Sequence, residues 1–332
     1  MSHSAVIGAG AWGTALAKVL AEQGQPVRLW TWQAEHARAM VRDRENVDFF
    51  PGFALPELVE PTADLAHALS GAELALLVVP SHAFRETLEK AKPLLLSGPP
   101  LVSATKGIEN DSLMLMSEVI EDVLGAEAGR RSAFLSGPSF AREVAQGSPT
   151  NIVVASSNDA LAADVQRRFA TERLRVYSSD DPVGVEVGGA LKNVIAIAAG
   201  ACDGLGFGHN TRAALITRGL AELARLAIAK GGNALTLSGL AGMGDLVLTC
   251  TGELSRNRSV GYELGKGRSL EAVLGGMVAV AEGVRTAKSA FHLAHALGVE
   301  LPICFEVYRV LYEHKPPLKA VHDVLTRPLK KE

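Results

Sequence analysis

Apolar and polar residues alternate on two different length scales along this chain, and the change from one to the other divides it in two. Through the first half, short runs dominated by Val, Ile, Leu and Ala recur at residues 5–7, 27–30, 74–79, 101–104, 133–135 and 152–155, with Arg28 and Ser103 the polar residues within them. Runs with so little polar interruption suit strands buried on both faces. Between them lie stretches with helical spacing, at 14–23, 84–92, 113–124 and 160–169. Strand and helix in regular succession predict a doubly wound α/β domain built on a parallel sheet. From about residue 183 the pattern changes: Ala- and Leu-rich segments at 187–201, 211–230 and 286–297 dominate, and strand-like runs nearly vanish. The second half is expected to be mainly α-helical, with the division at residue 187. No Pro- or Ser-rich linker marks it, and the cut can fall inside a helix. No fixed-period repeat or low-complexity segment suggests a solenoid.

Composition narrows the class. At 332 residues the chain is long enough for two domains, and 48% hydrophobic with 21% charged residues is a globular balance. A net charge of −3 offers no electrostatic footprint for nucleic acid or an anionic membrane, so any anion site must be local. Cys202, Cys250 and Cys304 stand far apart, which suggests neither a metal site nor a disulfide framework. The start MSHSAVIGAG has no basic region followed by a long apolar run, and no later apolar stretch reaches membrane-spanning length uninterrupted. The expectation is a cytoplasmic protein without membrane insertion.

Gly8, Gly10 and Gly13 form G-x-G-x-x-G directly after the first predicted strand and before a helix. In that context the glycines allow a tight turn and let backbone N–H groups and the helix N-terminus meet a pyrophosphate. Residues 1–187 therefore read as a Rossmann-like dinucleotide-binding domain. The second strand ends in Trp30-Thr31-Trp32-Gln33. No carboxylate stands there to repel a 2′-phosphate, which favours NADPH over NADH. Arg38, the next basic residue, can equally be a solvated helix residue.

Lys192 and Asn193 lie among small and apolar residues in a predicted helix. Burial lowers the pKa of an ammonium group, so Lys192 can act as a general base toward an alcohol; a lysine snorkelling from a helix edge is the bland alternative. Asp245 and Thr249 follow in a glycine-flanked segment, and Ser255-Arg256-Asn257-Arg258 sets two arginines around an amide. Either arginine could grip a phosphate monoester through its planar fork. Thr105-Lys106-Gly107 and Ser136-Gly137-Pro138-Ser139 follow predicted strands, at the ends where open α/β sheets bind ligands.

The segments GAGAWGTALA (8–17), SATKGIE (103–109), LSGPSFA (135–141), GVEVGGALKNVIAIAAG (184–200), GLAGMGDLVLTC (239–250) and SRNRS (255–259) together closely resemble bacterial-type NAD(P)-dependent glycerol-3-phosphate dehydrogenase. So do ALITRGLAE (214–222) and VAEGVRTAK (280–288), and the likeness spans nearly the whole chain. It implies that Lys192 accepts the C2 hydroxyl proton, supported by Asn193, Asp245 and Thr249. Lys106, Gly137, Ser139, Lys192, Asp245, Ser255, Arg256 and Asn257 would contact the phosphorylated substrate. Gly8, Gly10, Ala11, Trp12, Gly13, Trp32, Gln33, Lys106, Ala141, Arg256, Val280 and Glu282 would border NAD or NADP. No metal is implied; a homodimer and a role in supplying phospholipid synthesis are.

Two positions depart from the family pattern. Ala11 stands where serine is usual, and Trp32-Gln33 replaces a pair that usually includes His or Arg. Other readings are a lysine-based two-domain dehydrogenase of the 6-phosphogluconate or 3-hydroxyacid type, and a non-catalytic nucleotide-sensing module.

Overall fold

The apolar runs assemble into one eight-stranded sheet in the computed structural model, which describes residues 2–277 and 281–328. Its strands are β1 (His3–Ile7), β2 (Val27–Trp30), β3 (Val59–Thr62), β4 (Ala72–Leu77), β5 (Leu101–Ser103), β6 (Ser132–Ser136), β7 (Thr150–Ala155) and β8 (Leu174–Ser179). They lie in the order β8-β7-β6-β5-β4-β1-β2-β3. Strand alternation explains why the runs are nearly continuous. Val6, Leu74 and Leu76 enter one core with Leu16, Leu20 and Val165, while Ala5, Ile7, Ala75 and Leu77 enter the opposite core with Phe84, Leu88 and Ile120. Helices cover both faces, so both rows of side chains must be apolar.

The sheet departs from the expected parallel arrangement at one edge. β1 to β6 are parallel, but β7 pairs antiparallel with β6, through Leu135 opposite Val154, and β8 runs parallel to β7. The link between β6 and β7 contains only the five-residue helix Ala141–Ala145, and the chain turns back along the same edge instead of crossing over. β3 and β8, absent from the run-based reading, are edge strands. Pro61 interrupts β3, tolerable where no ladder hydrogen bond is required, and β8 alternates buried Leu174 and Val176 with exposed Arg175 and Tyr177. A small hairpin, Glu45–Asn46 with Phe50–Ala54, was also not anticipated. The predicted helix at 113–124 starts later, at Met116, because Leu113 adopts φ 60°.

The chain leaves β1 toward β2 on one side, while β4 lies on its other side, so a crevice opens between the C-terminal ends of β1 and β4. Over this edge packs the helical half, in which no strand occurs among the described residues beyond Ser179. Its axis is the helix Pro182–Gly204, capped by Asp181, whose carboxylate accepts from the Gly184 N–H, with Pro182 in the first turn. Residue 187 thus falls within this helix, near its start. It is the one described helix long and apolar enough to span a membrane, but most of it is buried in the core. Val187, Leu191, Val194 and Ile195 sit at full burial among Leu223, Leu246, Val260 and Ala287 of the surrounding helices. Helix Arg256–Gly265 comes so close that a Cβ on Gly200 would stand 1.9 Å from the Arg258 carbonyl oxygen. Glycine at that crossing sets the spacing that brings residues 255–258 to the site.

Candidate active site

Strand ends and helix starts from both halves meet at the crevice. After β1, Gly8 takes φ 123° with the Val78 carbonyl oxygen 2.7 Å from where a Cβ would be, and a Cβ on Gly13 would strike the Gly8 carbonyl at 1.9 Å. These two glycines are required by the turn itself. Gly10 differs: it has ordinary extended backbone and nothing within 4 Å of a Cβ, so the space beside it is open. The helix Ala11–Glu22 starts there, its first N–H groups facing this space. Trp12 keeps a buried indole N–H with no partner among the described residues. Such a bay, floored by backbone donors and uncharged, fits a pyrophosphate. Lacking a hydroxyl, Ala11 leaves the donors there to the backbone. Around the end of β2, Trp32 is 76% exposed and Gln33 begins the next helix; Arg38 is paired with Glu35, and Arg44 is spent on the carbonyls of Leu55, Pro56 and Val59.

The charged centre lies across the crevice. Lys192 Nζ is bonded to Asp245 Oδ1, and Lys106 Nζ, from the loop after β5, reaches Asp245 Oδ2 at 3.1 Å. The Lys192 and Asp245 side chains are 8% and 1% exposed. Burial pushes Lys192 well below the ordinary lysine value; the Asp245 carboxylate opposes this and the Lys106 charge adds to it. Asp245 is itself resisted by burial, yet the two ammonium groups hold it below the usual carboxylate range. One carboxylate therefore stays ionised between two lysines, one of which is made easy to deprotonate. A π-helical turn, Leu240–Gly244, leads into helix Asp245–Thr251 and delivers Asp245 to this spot, where Thr249 Oγ1 donates to the Asp245 carbonyl at 2.6 Å.

Amides tie the helices around this centre. Asn257 Nδ2 donates to Asn193 Oδ1 at 2.9 Å, and Asn257 Oδ1 accepts from the Gly283 N–H at 2.9 Å. Ser255 caps helix Arg256–Gly265, accepting from the Arg258 N–H. Ser139 Oγ donates to the Gly137 carbonyl at 3.0 Å, and Ala141 starts the short helix that follows. The two candidate arginines separate cleanly. Arg258 is locked on Asp203 through Nε at 2.9 Å and Nη2 at 2.7 Å, and Arg212 occupies the other oxygen of the same carboxylate. Arg256 is exposed and makes no hydrogen bond or ion pair among the described residues, leaving its guanidinium available for an anion. Glu282 opens helix Glu282–Ala296 near Arg256, and burial raises its pKa against the pull of the Ser81 hydroxyl, Arg285 and Arg256. Ser81 Oγ donates to Glu282 Oε2 at 2.9 Å, a link between the two halves that the motif reading missed. Its signal was position, since Ser81 stands just beyond the end of β4 as Lys106 does beyond β5. Val280 lies outside the described residues.

A doubly wound sheet with a glycine-floored bay at its switch point, facing a buried lysine on a helical second half, defines a dinucleotide-dependent oxidoreductase. Residues 3–162 match the N-terminal model of NAD-dependent glycerol-3-phosphate dehydrogenase and residues 181–322 the C-terminal model. The chain belongs to this family. It is 54% identical to the glycerol-3-phosphate dehydrogenase (NAD(P)+) of Geobacter sp. (strain M21) over 99% of this chain and 98% of that protein. Identity to its counterpart in Geobacter sulfurreducens is 55%, over 98% of each chain. The crystal structure of glycerol-3-phosphate dehydrogenase from Coxiella burnetii superposes with a TM-score of 0.94 at 42% identity, covering 98% of this chain and 99% of that one. The chain is accordingly an NAD(P)-dependent dehydrogenase.

Proposed function

We propose that this protein interconverts sn-glycerol 3-phosphate and dihydroxyacetone phosphate, with Lys192 as the acid–base residue. The observation that carries the reading is the buried Lys192–Asp245–Lys106 cluster, tied through the Asn193–Asn257 hydrogen bond to the helix start where Arg256 stands with a free guanidinium. In the oxidative direction neutral Lys192 removes the C2 hydroxyl proton; in the reductive direction its ammonium form returns it. The nicotinamide, when bound, supplies or accepts the hydride at C2. Asp245 orients Lys192, and Lys106 keeps its proton affinity low. Thr249 steadies Asp245, and Asn193 joins Lys192 to the Asn257 amide network. Arg256, with Lys106, Gly137, Ser139, Ser255 and Asn257 around it, holds the phosphate, so that binding energy from the non-reacting end positions C2. Gly8, Gly10, Ala11, Trp12 and Gly13 hold the pyrophosphate, Trp32 and Gln33 border the adenosine, and Ala141 and Glu282 line the nicotinamide side.

We divide the labour at residue 187, with the dinucleotide held by 1–187, the base carried by 188–332 and substrate caught between. Both coenzymes are used and NADPH is preferred, because β2 ends without a carboxylate. The protein acts in the cytoplasm as a homodimer and supplies glycerol 3-phosphate for phospholipid synthesis. One assay tests the core of this reading: following NADPH and NADH consumption with dihydroxyacetone phosphate, and with unphosphorylated dihydroxyacetone as control. Turnover with the phosphorylated ketone alone is expected; equal turnover of both ketones, or none with either, refutes it, and a higher kcat/KM for NADH refutes the coenzyme preference.

A further inference from the structure

Behind the glycine loop runs a buried polar chain to which the reaction assigns no task. Asn46, fully buried, donates from Nδ2 to the Ala9 carbonyl oxygen at 2.8 Å and lies 2.8 Å from Thr14 Oγ1. A carbonyl oxygen only accepts, so this atom must be the amide nitrogen and Oδ1 the acceptor. Asn46 Oδ1 takes the Phe49 N–H at 3.2 Å and lies 2.8 Å from His36 Nε2. The proton of that contact therefore sits on His36 Nε2, and Nδ1 lies 3.0 Å from Thr31 Oγ1. Thr31, His36 and Thr14 are buried as well. The hairpin beginning at Glu45, the helix Ala34–Asp43 and the end of β2 thereby converge on a single peptide, the one joining Ala9 to Gly10.

A planar trans peptide points its C=O and N–H in opposite directions. Holding the Ala9 carbonyl inward on Asn46 turns the Gly10 N–H outward, where it has no partner among the described residues and Gly10 borders open space. We propose that Asn46 is a positioning residue for the coenzyme pyrophosphate: through the Ala9 carbonyl it aims the Gly10 N–H at a phosphate oxygen, and His36 and Thr31 hold Asn46 to that task. The proposal rests on the coenzyme reading of the glycine loop given above. A neutral amide is what the position demands. A carboxylate there would face the Ala9 carbonyl with an acceptor and place negative charge behind a doubly anionic group. Preorganising the donor in a dry, fully bonded network spares the coenzyme the cost of ordering it.

The test uses the full-length protein, with ADP-ribose as the binding probe and steady-state kinetics alongside. Asn46→Asp is expected to weaken ADP-ribose and to raise the coenzyme KM by about tenfold or more, the scale of one lost hydrogen bond plus an adverse acceptor pair. The KM for dihydroxyacetone phosphate and kcat at saturating coenzyme should change far less. His36→Leu should weaken ADP-ribose severalfold, and His36→Gln, whose amide can donate from the Nε2 position, should restore most of it. Unchanged ADP-ribose affinity in folded Asn46→Asp, a parallel rise in both KM values, or a His36→Gln no better than His36→Leu overturns the proposal. If Asn46→Asp does not fold, the His36 pair decides alone. Wild-type protein that fails to bind ADP-ribose instead brings down the reading of the loop itself.

Discussion

The two sides of the crevice solve opposite physical problems. At the glycine loop there is no formal charge: backbone N–H groups and a helix N-terminus face open space, and neutral side chains hold them in place. At the lysine centre three formal charges are packed into a buried cluster, and their mutual fields set which of them keeps its proton. On the function proposed above, the first arrangement acts on where a ligand's phosphates lie, through geometry. The second governs when a proton moves, through burial. Substitutions on the first side should therefore change affinity, and those on the second should change turnover and its pH dependence.

Lys192→Ala gives the sharpest test of that division. Its kcat is expected to fall on the order of 10²- to 10⁴-fold, the range of a lost acid–base group, while the coenzyme dissociation constant measured by fluorescence titration stays near wild type. Turnover that survives, or coenzyme affinity that falls with it, would merge the two sides. Gly10→Val is the reciprocal change. The backbone there accepts a side chain and no described atom lies within 4 Å of a Cβ at that position, so thermal unfolding should move little, yet the side chain enters the bay proposed to hold the pyrophosphate. Coenzyme affinity is expected to drop by about 100-fold, equivalent to two or three lost hydrogen bonds. Retained affinity would place the coenzyme elsewhere.

The smallest effect concerns pH. With Lys192 as the proposed base, the rate of glycerol 3-phosphate oxidation should rise with pH along a limb lying well below the ordinary lysine value of 10.5. Lys106 helps hold that value down; removing its charge lets Lys192 keep its proton to higher pH. In Lys106→Met the rising limb of kcat should therefore move toward alkaline pH. A limb that stays in place or moves to acid would show that Lys106 acts on the substrate alone.

Much of this was legible because the signals are local. β2 was delimited correctly at both ends by its apolar run, and the glycine loop by its position between a strand and a helix. The edge strands were not, since β3 contains a proline and β8 alternates like a half-exposed strand. Arg256 and Arg258 show the limit for the site. They are two residues apart, of one type, and indistinguishable by pattern, but Asp203 takes only the second. Asn46 and His36 carried no motif at all, because their role is defined by what surrounds them.

Local sequence was enough for the two-part organisation, the position of the glycine loop and the residue types capable of acid–base and phosphate chemistry, because periodicity, turn geometry and helix-start chemistry are written over a few neighbouring residues. The partnerships arise only in the folded chain. Lys192 and Asp245 are 53 positions apart, and Lys106 and Asp245 are 139. Charge and burial act through space, so Lys192 becomes a weak base only when packing removes its water and sets one carboxylate and one further ammonium beside it.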